Sequence, residues 1–96
     1  MTKALSQTMP GLGAQDGKGF EAVVHAKYFS CYNGWTWYAT EFDGRDLFFG
    51  YVVGAFPEFG YFSLSEFEDL NRSKGFPVIE RDLYFTPRKL NELVDI

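Results

Sequence analysis

Apolar and polar positions read as strands over five stretches of the chain and follow helical spacing over two more. "FEAVVHAKYFSCY" (residues 20–32) has the β-branched and aromatic content of a strand, and "WTWYATEF" (35–42) reads as its return. Asn33-Gly34 between them predicts a two-residue type I′ turn, whose central residues both take positive φ. That turn sets Tyr32 opposite Trp35, Ser30 opposite Trp37, Tyr28 opposite Ala39 and Ala26 opposite Glu41 on one side of the sheet. On the other side Cys31 meets Thr36, Phe29 meets Tyr38, Lys27 meets Thr40 and His25 meets Phe42. Both sides are aromatic.

Asp43-Gly44 offers a second turn into "RDLFFGYVVGAF" (45–56). A strict two-residue loop would bring Glu41 against Asp46, and facing like charges destabilise a sheet, so a longer loop is expected. Gly50 then falls near Trp37, where a missing side chain lets an indole lie across the backbone. "FPEFG" turns the chain into a fourth strand near "YFS". In "SLSEFEDLN" Ser63 caps a helix, Glu66 closes a capping box, and Leu64, Phe67 and Leu70 form an apolar stripe. "VIERDLYF" reads as a strand with Ile79, Leu83 and Phe85 on one face beside Arg81. Thr86-Pro87 opens a last helix, "PRKLNELV". Residues 2–9 fit a short helix stopped by Pro10, and "PGLGAQDGKG" reads as a loop.

The expected fold is therefore α+β, a single domain over residues 1–96. An antiparallel meander of four or five strands carries two or three short helices. Helices of this length cover one face, and too little chain remains for the other. Part of the aromatic hairpin is expected to face outward, and exposed aromatic patches mark contact sites.

Composition sharpens this picture. Aromatic residues make up 20% of the 96 residues, so they must supply most of one small core. No apolar run approaches the ~20 residues that span a bilayer. The opening segment has no apolar core followed by a cleavage site, so no secretory signal and a cytoplasmic location are expected. Cys31 is alone, which rules out an internal disulfide and a cysteine zinc site. Net charge is -4, and it is concentrated: from Glu41 to Asp69 seven acids face Arg45 alone. Such a stretch repels phosphate backbones and attracts basic surfaces.

The motifs Gly34-Trp35-Thr36-Trp37-Tyr38, Phe48-Phe49-Gly50, Gly60-Tyr61-Phe62-Ser63-Leu64-Ser65-Glu66 and Glu80-Arg81-Asp82-Leu83 lie between residues 34 and 83, with a weaker likeness in "MTK" and "MPGLGAQDG". In them the chain resembles the domain-of-unknown-function 2958 family, small single-domain bacterial proteins often carried by plasmids and phages. The resemblance brings no catalytic residue to any position. It implies a mobile-element setting, in which small acidic proteins often block host defences by binding them.

Candidate chemistry is sparse. His25 is the only histidine and has neither a nucleophile nor an orienting carboxylate beside it in the expected register. Cys31 lacks cationic neighbours that would favour a thiolate and reads as a small packing residue. Glu41, Asp43 and Asp46 lack the ligand spacing of a calcium loop. The glycines of "GLGAQDGKG" lack the ending of a phosphate loop. Arg81, on an apolar strand face, is expected to pair with Glu66 or Glu41. No cofactor, metal or catalytic set is implied.

The leading expectation is a non-enzymatic protein. It would bind and inhibit a basic, nucleic-acid-handling host defence component through Tyr32, Trp35, Trp37, Asp43, Asp46 and Glu58. An alternative is a small-ligand binder that sequesters a nucleotide or similar signal, with Arg81 or Lys27 on the anionic group. A homodimeric module and a single-stranded nucleic-acid binder are further alternatives, the last disfavoured by the acids around the rings.

Overall fold

A computed structural model describes residues 9–31 and 33–94 of the chain. In order they form β1 (Val23–Val24), β2 (Ala26–Ser30), β3 (Thr36–Phe42), β4 (Leu47–Val53), β5 (Glu58–Ser63), α1 (Leu64–Lys74), β6 (Ile79–Arg81) and β7 (Arg88–Lys89). Single 3-10 turns at Gly19–Glu21 and Leu90–Glu92 flank the two short end strands. Five strands build one antiparallel sheet in the order β5-β4-β3-β2-β6, and β1 pairs with β7 beside it. The five-stranded antiparallel sheet matches expectation. The helix number does not, since α1 is the one α-helix among the described residues. The helix expected over residues 2–9 lies outside them, Met9 excepted.

"PRKLNELV" fails as a helix because its start is taken by another partner. Val23 pairs with Lys89, Val24 with Arg88, and the Leu90 N–H donates to the Ala22 carbonyl. The strand expected over "VIERDLYF" stops at Arg81. Asp82 accepts the Tyr84 N–H on Oδ1, an Asx turn that throws Leu83 outward, 79% exposed, instead of onto the apolar face. The α1 boundaries follow local chemistry as expected. Ser63 Oγ accepts from the Glu66 N–H at 3.2 Å, and Gly75 ends the helix at φ 79°.

Hairpin registers differ from the expected ones in an instructive way. Tyr28 stands opposite Trp37 and Ala26 opposite Ala39, a shift of two residues. The cause is the 31–34 connection: Asn33 Oδ1 accepts the Trp35 N–H, and the Ser30 N–H reaches the Trp35 carbonyl. No described non-glycine residue takes positive φ, so Asn33 cannot serve a type I′ turn. A shift of two keeps every residue on its face. The β3–β4 connection is longer than two residues, as expected, and puts Phe42 opposite Phe48 and Glu41 opposite Phe49 rather than Asp46. A bulge between Ala39 and Glu41 lets Phe42 join Ala39 on the same face while Glu41 turns to the other.

One face carries Ala26, Tyr28, Ala39, Phe42, Phe48 and Phe62, covered by Leu64 and Phe67 of α1. The opposite face buries Val24 and Tyr51 beneath Leu90, with Phe20, Phe85, Leu93 and Val94 packed around them. Irregular segments and the residues after β6 thus cover part of the face for which no helix remains. Phe59 and Tyr61, at 38% and 65% exposed, stay at its edge.

Candidate functional site

Pairing across the sheet lines up one row of side chains on the α1 face. Glu58 of β5 stands opposite Val52 of β4, Val52 opposite Trp37 of β3, Trp37 opposite Tyr28 of β2, and Tyr28 opposite Arg81 of β6. The row begins with a carboxylate and ends with a guanidinium. α1 crosses its middle, where Phe67 meets the Trp37 ring edge-on at 4.9 Å and the Tyr28 ring at 5.1 Å. A single helix is narrower than five strands (about 10 Å against ~4.8 Å per strand), so each end of the row opens beside it.

On the β5 side lies a cleft of about 470 Å³, with Trp35, Trp37 and Glu58 in its wall together with Glu66, Tyr61 and Leu70. No lysine or arginine among the described residues lines it. The two indoles stand 6.0 Å apart, and Trp35 is 36% exposed. Glu66 accepts from Ser63 Oγ on Oε1 at 2.9 Å. The Glu58 side chain has no hydrogen bond or ion pair among the described residues. Leu70, expected to belong to the buried stripe, is 40% exposed because it forms this wall. The floor at Gly60 is open: a Cβ there would meet nothing within 4 Å.

Of the seven candidate binding residues, Trp35, Trp37 and Glu58 thus come together, whereas Asp43, Asp46 and Arg81 lie elsewhere. Tyr32 lies outside the described residues. Asp43 is a turn residue, whose Oδ1 accepts the N–H groups of Arg45, Asp46 and Leu47. Those backbone donors hold its carboxyl below the ordinary carboxylate range. Asp46 caps α1, accepting the Ser65 N–H at 2.6 Å and Ser65 Oγ at 2.7 Å. Arg81 sits at the far end of the row on the apolar face, as expected, but without the expected ion pair. Glu66 is engaged by Ser63, and Glu41 lies on the opposite face, taken by the Gly13 and Gln15 N–H groups at 2.8 and 2.7 Å.

Smaller expectations are corrected too. The glycine that accommodates an indole is Gly54, where a Cβ would stand 2.7 Å from the Trp35 ring. Gly50 instead lies against the Tyr38 carbonyl. Cys31 is exposed rather than packed. His25 donates its backbone N–H to the Ala39 carbonyl, and burial lowers its pKa. No cluster of three potential metal ligands occurs among the described residues. No helix among them is long and apolar enough to cross a membrane.

Compared with protein-family models, the chain matches the family described as Protein of unknown function (DUF2958) over residues 2–95. It belongs to that family. No curated protein and no solved structure matches it. For this DUF2958 chain, the row of residues and its two flanking openings are the basis on which function must be argued. Sequence reading missed Gly60 and Glu66 as parts of the cleft. Both lie in the one motif that spans β5 and the start of α1, and only the register shows that they converge with Trp37.

Proposed function

We propose that this protein is a non-enzymatic binding protein whose acidic aromatic cleft takes a basic side chain of a partner protein. The observation that carries the reading is the cleft lining, which joins two indoles and two carboxylates with no cation among the described residues. An arginine or lysine entering it meets π faces and carboxylate oxygens together, worth roughly 0.5–2 kcal/mol for the ring contact alone. The surrounding excess of acids speeds encounter with a basic surface. Phosphate-bearing ligands meet repulsion there, which disfavours nucleic acid and nucleotides in this cleft.

Together with the mobile-element setting that the family resemblance implies, this supports inhibition of a basic, nucleic-acid-handling component of host defence, in the cytoplasm. The test compares partners captured by the wild type and by a Trp35→Ala/Glu58→Lys variant, identified by mass spectrometry. Wild-type protein is expected to enrich basic proteins that the variant loses. Equal capture by both would overturn the reading.

A further inference from the structure

The opposite end of the row has its own opening, on the β6 side of α1. It is a cavity of about 290 Å³ lined by Tyr28, Leu64, Phe67, Ile79, Arg81 and Leu83 among others, near the lower limit of about 300 Å³ for small-molecule pockets. Tyr28 is 3% exposed, and its hydroxyl is the one buried side-chain polar atom among the described residues that has no hydrogen-bond partner. A buried hydroxyl is normally hydrogen-bonded, and a missing partner calls for an explanation. Arg81 is half-buried beside it, and its side chain forms no hydrogen bond or ion pair among the described residues. The remaining polar group in the wall of that kind, the Asn71 amide, is committed twice to the Ile79 backbone, at 3.0 and 2.8 Å.

We propose that this cavity binds a small carboxylic acid with an apolar body. The Arg81 guanidinium and the Tyr28 hydroxyl take the carboxylate, and Leu64, Phe67, Ile79 and Leu83 take the body. Both free groups are donors at neutral pH, since burial pushes the Tyr28 pKa up to about 12 while Arg81 pulls against that rise. The ligand must therefore supply acceptors, and a guanidinium selects an anionic one. Glu68 and Glu80 also line the cavity, so an anion is held there only by direct contact with the Arg81 guanidinium. A monocarboxylate meets less repulsion from those two carboxylates than a phosphate dianion does. This site is separate in its chemistry from the acidic cleft and does not depend on the reading given to it.

Calorimetric titration of the full chain with 3-phenylpropanoate and octanoate tests the proposal, with 3-phenylpropanamide and phenyl phosphate as controls. The two carboxylates are expected to saturate one site, and both controls to bind at least about tenfold more weakly. Arg81→Gln is expected to weaken the carboxylates by roughly tenfold and Tyr28→Phe by about fivefold, while Trp35→Ala leaves them unchanged. Tyr28→Phe preserves shape, so its fold, checked by circular dichroism, stays intact. The proposal is overturned if neither carboxylate saturates by about 10 mM, if a control binds equally well, or if Arg81→Gln has no effect.

Discussion

Glu41 and Tyr28 stand on opposite faces of one sheet, and each is 3% exposed. Glu41 accepts two backbone N–H groups from the glycine-rich loop, and Gln15 beside it donates to the Val23 and Thr40 carbonyls and accepts the Val23 N–H. Every buried side-chain polar atom there has a partner among the described residues, and the loop is fastened to the face. A pocket of about 350 Å³ lined by Gln15, Thr40, Glu41, Phe49 and Phe59 stays open beside it. Among the described residues the Tyr28 hydroxyl has no partner, and its row ends in an unpaired guanidinium at one side and an unpaired carboxylate at the other. The contrast separates polar groups that hold the fold from polar groups left for something outside it. A helix of 11 residues covers the middle of its face and leaves both flanks open, whereas irregular chain can follow the opposite face and satisfy it locally.

The contrast is broken most severely at Glu41. Glu41→Ala leaves two backbone donors unpaired and is expected to cost about 3 kcal/mol, measured by urea denaturation. A loss below ~1 kcal/mol would mean that the loop is not held by this carboxylate. Gln15→Ala is expected to follow at about 2 kcal/mol, since the amide serves three backbone groups. On the α1 face the sign reverses. Tyr28→Phe removes a hydroxyl that has no partner and is expected to raise stability by about 1 kcal/mol in the absence of ligand. A loss of the same size would show that the hydroxyl is bonded in solution and would erase the difference between the faces.

Acid titration sharpens the comparison further. Burial lowers the His25 pKa below its ordinary 6.5, so the unfolded chain binds the proton more readily than the folded one. The neutral ring's contribution is complete above pH 6.5 and is lost as pH falls through the folded value. His25→Gln is expected to flatten stability against pH in that window. Smallest of all is Arg72→Ala. It breaks the exposed Asp69 pair at 2.9 Å and is expected to change stability by less than ~0.5 kcal/mol.

Much of the sheet was legible in the sequence because period-two patterning survives a two-residue slip: Tyr28 and Trp37 share a face in both registers. The α1 start was legible because Ser63 and Glu66 act within one turn. The end of the chain was not. Leu90, Leu93 and Val94 have helical spacing, but they are spent on Val24 and Tyr51, partners far away in the chain. The acidic surface was legible as charge and not as geometry. Asp43 and Asp46 are carboxylates like Glu58, yet local backbone donors claim them, and only coordinates distinguish a cap from a contact. Gln15 had no sequence signal at all, being one amide in a loop of glycines.

The cleft's role is tested most directly by tryptophan fluorescence, titrating an arginine-rich peptide and its glutamate-substituted counterpart into wild-type protein and Gly60→Val. The substituted strand keeps every charge and, with nothing within 4 Å of the new Cβ, keeps its fold while its side chain fills the floor of the cleft. A saturable change in emission with the basic peptide alone, lost in Gly60→Val, is the predicted result. No saturable change with wild type, or the same response from Gly60→Val, would contradict a docking cleft at Trp35, Trp37 and Glu58.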